Sequence, residues 1–87
     1  MSEIRLRLYV TGQTPSAERA IAALRSLHAE FPDRMTLEVI DVLEDPISAL
    51  NDDVYATPTV FRISPEPVGR LFGDLSYKEA LIAWLGL

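Results

Sequence analysis

Residues 4–15 read Ile-Arg-Leu-Arg-Leu-Tyr-Val-Thr-Gly-Gln-Thr-Pro, and they indicate how the chain begins to fold. In the first seven, every second side chain is apolar and faces the same way: Ile4, Leu6, Leu8 and Val10. Strict alternation of this kind is typical of a half-buried strand. The Thr14-Pro15 pair offers an N-cap residue followed by a proline at the first helical position. We therefore expect a strand at 4–10 that turns directly into a helix.

The rest of the chain continues this alternation of strands and helices. The first helix keeps an apolar stripe up to Phe31, and Pro32-Asp33 ends it. Four further elements are predicted: a strand at 35–42, a short helix at 46–53, and strands at 58–63 and 68–72. A terminal helix is expected to bury one apolar face made of Tyr77, Ala80, Leu81, Trp84 and Leu85.

The element order is therefore β-α-β-α-β-β-α. The first strand–helix–strand unit crosses over right-handed and gives two parallel strands. Ser64–Pro67 joins the last two strands in too few residues for anything but an antiparallel pair. We predict an α/β fold of thioredoxin-like arrangement with a mixed four-stranded sheet, in a single domain over residues 1–87.

Composition and charge exclude several classes of function. No apolar run approaches the roughly 18 residues of a membrane helix, and the N-terminus has no pattern of a secretory signal, so we expect a cytoplasmic protein. The net charge of −5 argues against nucleic-acid binding. The absence of cysteine excludes disulfides, thiolate catalysis and zinc–thiolate sites. No cofactor is indicated.

The residues that could carry chemistry are few. In a thioredoxin-like enzyme the redox dithiol lies at the start of the first helix, where this chain has no sulfur. Ser16 would need a neighbouring base to act as a nucleophile, and the only histidine, His28, lies twelve residues further on. We interpret Thr14 as a helix cap and Ser16 as a solvent contact. An enzyme that uses Ser16 or Thr14 is the alternative from a different class.

Five acidic residues cluster in the middle of the chain: Asp41, Glu44, Asp45, Asp52 and Asp53. Their spacing matches no EF-hand loop, and Asp45 before Pro46 is better explained as a helix cap. We interpret the cluster as a solvated acidic face and predict no metal site.

Taken together, several of these segments resemble the KaiB family of bacterial circadian clock proteins. The matching pieces are Leu6–Val10, Gly12 with Thr14-Pro15, Val39–Leu43, Pro46, Ala56–Thr59 and Gly73–Ser76. They occur in the order and spacing of the family over nearly the whole chain. Thr57-Pro58 also stands where thioredoxin-like folds place a cis proline.

The resemblance implies a protein that binds other proteins and catalyses nothing. KaiB proteins interconvert between a tetrameric ground-state fold, which is the alternative fold here, and a monomeric thioredoxin-like fold. The monomeric form docks on the hexameric ATPase KaiC, captures KaiA and displaces the sensor kinase SasA. Such switching requires two packings that differ by only a few kcal/mol.

Only some of the family's partner-binding positions are matched in this chain. Arg19, Arg62 and Arg70 match basic positions of the family's docking surfaces. Three other positions that are typically basic hold Glu38, Asp53 and Gly69. Because Glu38 lies on the strand that the family offers to KaiA, the acid argues against classical KaiA capture.

Five residues are expected to bear on fold choice: Pro58, Gly73, Asp74, Trp84 and Gly86. Family members typically have glycine at the position of Trp84 and aspartate at that of Gly86. Because a large indole is costly to move out of an apolar face, we expect this chain to rest in the thioredoxin-like fold.

The expected partner is a KaiC-type ATPase or a histidine kinase, in circadian or stress signalling. One alternative is a competitor or mimic of a SasA-type histidine-kinase sensor domain, outside a KaiA-dependent clock. Another is a homo-oligomer formed through exposed strand edges and the face of Arg5, Arg7 and Tyr9, although solvation of that face is the favoured interpretation.

Overall fold

The computed structural model describes residues 3–87, within which the predicted order of elements is found. The strands are β1 (Ile4–Val10), β2 (Met35–Asp41), β3 (Thr59–Ser64) and β4 (Gly69–Phe72), and the helices are α1 (Pro15–Glu30), α2 (Pro46–Asn51) and α3 (Lys78–Leu85). The sheet has the order β2-β1-β3-β4. β1 is parallel to β2 and antiparallel to β3, and β4 is antiparallel to β3. The thioredoxin-like architecture with a mixed four-stranded sheet is confirmed.

One face of the sheet carries the hydrophobic core. The even-numbered side chains of β1 are buried together with apolar side chains of α1 and α3. α1 contributes Ala17, Ala20, Leu24 and Leu27, and α3 contributes Leu81 and Leu85. Full burial of one such leucine is worth about 1.5–3 kcal/mol. The strand and helix predicted from residues 4–31 therefore form one packed unit with the last helix.

The buried face of the terminal helix differs from the prediction at two residues. Tyr77 is 64% exposed and Ala80 is exposed as well, so their predicted burial is wrong. α3 begins only at Lys78, which leaves Tyr77 in an extended N-cap conformation and out of the helical register. Leu75, upstream of the helix, is buried in the core instead. Trp84 does pack against the core, as predicted, and is half-buried there.

Several predicted boundaries move by one or two residues. α2 ends at Asn51 rather than 53, because Asp53 takes a left-handed φ of 55° that no helix continues through. β3 begins at Thr59, after a cis Thr57–Pro58 bond, and β4 begins at Gly69. β2 ends at Asp41, whose side chain accepts hydrogen bonds from the following turn.

The second face of the sheet is covered by α2. The expectation that Arg5, Arg7 and Tyr9 form a solvated face is wrong for Tyr9, which is 0% exposed. The six-residue α2 packs over it, and the Tyr9 hydroxyl donates to the Ser48 carbonyl at 3.0 Å. Phe72, which is in register with Thr59 and so shares this face, is 67% exposed. The short helix thus covers this face at the Tyr9 end of β1 and leaves Arg5 and the outer part of the face open.

From residue 3 to residue 87 no helix has the length and apolar character needed to cross a membrane.

Candidate partner-binding surfaces

The turn between β1 and α1 stands where thioredoxin-like enzymes hold their dithiol. Here the Thr11 and Thr57 hydroxyls form a hydrogen bond of 2.7 Å, and the Gly12 amide donates to Asp41 Oδ1 at 3.0 Å. The Thr14 hydroxyl accepts from the Ala17 amide at 3.1 Å, which confirms it as the N-cap of α1. These polar groups form hydrogen bonds with one another, so the turn has a structural role and joins β1, β2, α1 and the segment before β3.

Ser16 and His28 do not form a nucleophile–base pair. Both lie on α1, twelve residues apart, which corresponds to about 18 Å along the helix axis. Ser16 is exposed in the first turn, whereas His28 is half-buried in the last. A serine at that distance from the imidazole gains no activation from it.

A network of ionic and hydrogen-bonding groups joins β1, β2 and α2. Arg7 Nε donates to Glu38 Oε1 at 2.8 Å, and Arg7 Nη1 donates to Asp52 Oδ2 at 3.0 Å. The Tyr9 hydroxyl donates to the same Asp52 oxygen and to the Ser48 carbonyl. The Tyr9 ring also meets Phe61 edge-on, with centroids 5.7 Å apart. The network fixes the C-terminal end of α2 to the sheet.

The network shifts the pKa values of its members. Burial, together with the hydrogen bond to Asp52, raises the pKa of Tyr9 to about 12. Hydrogen bonds to Glu38 and Asp52 raise the pKa of Arg7 further above its ordinary value. Burial opposes ionisation of Asp52, but the hydrogen bonds from Tyr9 and Arg7 outweigh it and hold the pKa of Asp52 below its usual value. Asp52 is therefore an ionised structural acid.

The acidic cluster is more than a solvated face. The Asp45 carboxylate caps α2 by accepting from the Ser48 amide and hydroxyl at 3.1 and 2.7 Å. Asp41 Oδ1 accepts from the amides of Gly12 and Leu43, each at 3.0 Å. With Asp52 in its network, only Glu44 and Asp53 of the five are fully exposed acids. Over residues 3–87 no group of side chains is arranged to hold a metal ion.

Four of the predicted partner-binding residues meet at the β3–β4 hairpin and the loop after α2. Arg70 Nη1 donates to the Asp53 carbonyl at 2.8 Å, and its guanidinium lies 4.6 Å from the centre of the Phe61 ring. Arg62 is in register with Gly69. An open depression of about 430 Å³ has Arg62, Gly69 and Arg70 in its lining.

Arg62 is less free than its sequence position suggests. Its Nε and Nη2 both donate to the Pro67 carbonyl, at 3.0 and 2.8 Å, and its guanidinium lies 6.0 Å from the Trp84 ring centre. This geometry holds the hairpin closed and ties it to α3. Arg62 thus has a structural role, which sequence position alone does not reveal.

Arg19 and Glu38 lie away from this hairpin. Arg19 is exposed on α1, where its charge helps to lower the pKa of Asp74, after the larger effects of the Ser76 hydroxyl and amide. Glu38 is on β2, an edge strand, and is paired with Arg7. The structure therefore groups Asp53, Arg62, Gly69 and Arg70 and leaves the other two on separate surfaces.

Of the five residues expected to influence fold choice, Pro58 precedes β3 and the other four lie before, within or at the end of α3. Gly73 has a φ of 107°, in the region that favours glycine, and Asp74 Oδ1 accepts from the Ser76 amide at 3.0 Å. Gly86 ends α3 in a left-handed conformation with a φ of 72°. Between them, Trp84 binds the helix to the core and to Arg62.

Sequence patterns did not reveal the Arg7–Tyr9–Asp52–Glu38 network. Its members are separated by as many as 45 positions, and no spacing rule connects them. The one available signal is a tyrosine on the strand face opposite the apolar residues, where a phenol commonly finds a polar partner.

Fold and site together define a class, a thioredoxin-like α/β domain with structural hydroxyls in place of the dithiol. Comparison of folds agrees. The thioredoxin Deadhead of Drosophila melanogaster superposes with a TM-score of 0.81 over 97% of this chain and 79% of its own, at 12% identity. The N-terminal domain of Synechococcus elongatus SasA superposes with a TM-score of 0.76 over 99% of this chain and 86% of its own, at 24% identity.

Sequence comparison identifies the family within that class. The KaiB domain model matches residues 7–87. The circadian clock oscillator protein KaiB of Synechococcus sp. (strain CC9311) is 47% identical over 83 residues, which are 94% of this chain and 70% of that protein. The chain belongs to the KaiB family. The resemblance inferred from the short segments is thereby confirmed.

Proposed function

We propose that this protein is a non-catalytic adaptor that docks on a KaiC-type hexameric ATPase in the cytoplasm. The proposal depends on one observation: the second half of the chain forms the β3–β4–α3 arrangement of the thioredoxin-like fold. The family resemblance gives this arrangement as the docking form. The absence of a thiol, together with the separation of Ser16 from His28, favours binding over catalysis.

The proposed docking surface has two separate parts, one around Arg19 on α1 and the other on the β3–β4 hairpin. Arg19 and Arg70 supply exposed positive charge there, whereas Asp53 and Gly69 stand where the family is typically basic. We expect charge at these positions to act mainly on association rate and specificity.

KaiA capture is not part of the proposed function. Glu38 places an acid on the β2 edge, and its pairing with Arg7 fixes that acid in position. A partner strand that complements a basic edge meets the opposite charge here.

A second candidate function is competition with a SasA-type kinase for the same docking surface. It is favoured by the fold shared with the SasA N-terminal domain, which the whole chain matches. Two proteins of one fold that use one surface exclude each other from a common partner.

Size-exclusion chromatography with light scattering tests the proposal. Alone, the protein is expected to elute near its monomer mass of 9.7 kDa, and a mass four times larger would contradict the thioredoxin-like resting state. With the KaiC-type hexamer of the same organism and ATP, we expect co-elution.

A matched pair of charge reversals locates the surface. Arg19→Glu is expected to weaken co-elution, whereas Arg25→Glu, an equally exposed arginine on the same helix, is expected to leave it unchanged. Equal behaviour of the two variants would refute the part of the surface on α1. Failure of the unmodified protein to bind the hexamer would refute the leading function, and displacement of a SasA-type kinase would then be the decisive measurement.

A further inference from the structure

Large apolar side chains are exposed on and around α2, between residues 43 and 55, and at the end of β4. Leu43, Ile47, Leu50, Tyr55 and Phe72 are between 65% and 88% exposed. We call these five residues the α2 surface. Among the large apolar side chains elsewhere in the described part of the chain, only Val68 and Tyr77 are exposed to a similar degree.

The α2 surface is continuous across the loop after α2. Ile47 and Leu50 are three residues apart on α2 and so lie on neighbouring positions of one helix face. Tyr55 and Phe72 line one depression of about 230 Å³, together with Ala56, Thr59 and Arg70. Tyr55 and Ala56 also line a second depression of about 210 Å³, which Ala49 of α2 borders.

These residues are exposed because of the way α2 docks. Its inward side is occupied by the Tyr9–Ser48 and Tyr9–Asp52 hydrogen bonds and by buried Ala49. With six residues, α2 cannot also cover Phe72 on β4. The core does not need Ile47 or Leu50, and an apolar residue at both outward positions indicates a contact with another molecule.

The charge around the α2 surface is acidic. Residues 43–55 contain Glu44, Asp45, Asp52 and Asp53 and no basic residue. Asp45 and Asp52 are engaged within the fold, whereas Glu44 and Asp53 are exposed at the two ends of α2. Of the nearby cations, Arg7 is paired with Glu38 and Asp52. Arg70 is exposed at the β4 end of the surface, where it lies over Phe61 and donates to the Asp53 carbonyl, so the acidic character belongs to the side formed by α2.

We infer that the α2 surface binds a partner segment whose apolar side chains are flanked by lysine or arginine. The apolar centre would contact Ile47, Leu50, Tyr55 and Phe72, and the basic flanks would face Glu44 and Asp53. Opposite charges at the rim raise the association rate and select the partner, while the buried apolar area supplies the affinity. This inference rests on the proposed function, since it describes what the adaptor's partner presents to it.

Titration of the ¹⁵N-labelled full chain with designed octapeptides, followed by NMR, tests this inference directly. The probe is an octapeptide with four central apolar residues and two lysines at each end. One control has glutamate in place of lysine, and a second has the same composition as the probe with lysine and apolar residues alternating. The expected result is shifts at residues 43–55 and 72, with a dissociation constant about tenfold lower for the probe than for either control.

Variants of exposed residues confirm the position of binding. Ile47→Ser and Leu50→Ser are expected to weaken probe binding at least fivefold, whereas Val68→Ser and Tyr77→Ser, equally exposed but outside the surface, are expected to leave it unchanged. Glu44→Lys combined with Asp53→Lys is expected to reverse the preference toward the glutamate peptide. Absence of binding, equal binding of probe and control, or shifts at another surface would each overturn the inference.

The two proposals fail separately. Probe binding at the α2 surface without co-elution with the KaiC-type hexamer would refute the proposed function and retain this surface for another basic partner. Co-elution with the hexamer that Ile47→Ser and Leu50→Ser leave unchanged, together with no peptide binding, would refute the α2 surface and support the proposed function.

Discussion

Removal of one oxygen atom, in the variant Tyr9→Phe, tests whether the Arg7–Tyr9–Asp52–Glu38 network stabilises the fold. The Tyr9 hydroxyl is fully buried, and its single proton is shared between Asp52, an ionised acceptor, and the Ser48 carbonyl. A hydrogen bond to a charged group contributes about 1.5–3 kcal/mol and one to a neutral group about 0.5–1.5 kcal/mol. Arg7 still pairs with Asp52 in the variant, so we expect a net loss of about 2–3 kcal/mol.

This loss is a large part of the stability of so small a domain. At about 0.05–0.15 kcal/mol per residue, a chain of 87 residues has roughly 4–13 kcal/mol in total. Urea unfolding followed by circular dichroism measures the change, and the melting temperature is expected to fall by about 10–20 °C. Tyr77→Phe makes the same chemical change at an exposed residue and is expected to alter stability by less than about 0.5 kcal/mol.

The alkaline limb of the stability curve provides a second readout. Because the folded-state pKa of Tyr9 is raised to about 12, its contribution is complete below pH 10 and is lost as the pH rises from 10 to 12. The Tyr9→Phe variant should show a shallower decline over this range. Equal stability of Tyr9→Phe and Tyr77→Phe, or equal alkaline slopes for Tyr9→Phe and the unmodified protein, would refute the network as a source of stability.

Three further predictions concern other parts of the fold. Asp52→Asn should flatten the loss of stability as the pH falls below about 4. Hydrogen bonds from Tyr9 and Arg7 hold the pKa of Asp52 below its ordinary value of 3.8, so ionised Asp52 stabilises the folded state above that pH, and this contribution is lost as the pH falls through the folded-state pKa. An unchanged acid limb would contradict this. Trp84→Ala should cost about 2–3 kcal/mol in urea unfolding, since it removes core packing and the contact with Arg62, and a cost below about 1 kcal/mol would show that α3 needs no anchor. Gly73→Ala should lower the free energy of unfolding by about 1–2 kcal/mol, because Gly73 has a φ of 107°. Gly69→Ala, with no atom within 4 Å of the added methyl group, should leave it almost unchanged. Equal losses in the two variants would refute the conformational explanation.

The fold of this protein could be predicted from its sequence because its signals are local. Alternation at residues 4–10, the caps at Thr14 and Asp45, and the short Ser64–Pro67 link each act over a few residues. Connection rules then make the first pair of strands parallel and the last pair antiparallel. Three places where the prediction was wrong, Tyr77, Ala80 and the end of α2, lie at helix termini, where one backbone angle moves a side chain from one environment to another. The prediction for Tyr9 was wrong for another reason, because α2, which is distant in sequence, buries it.

For the candidate sites too, some features could be predicted from the sequence and others required the tertiary structure. The element order, the absence of a thiol, the family and the residue types at positions 19, 38, 53, 62, 69 and 70 follow from the sequence alone. Only the tertiary structure showed that Arg62 holds the hairpin, that Glu38 is paired with Arg7, and that Asp52 joins α2 to Tyr9. The physical reason is that hydrogen bonds and ion pairs act over about 3 Å in space, and these partners are far apart along the chain, where no periodicity of helix or strand connects them.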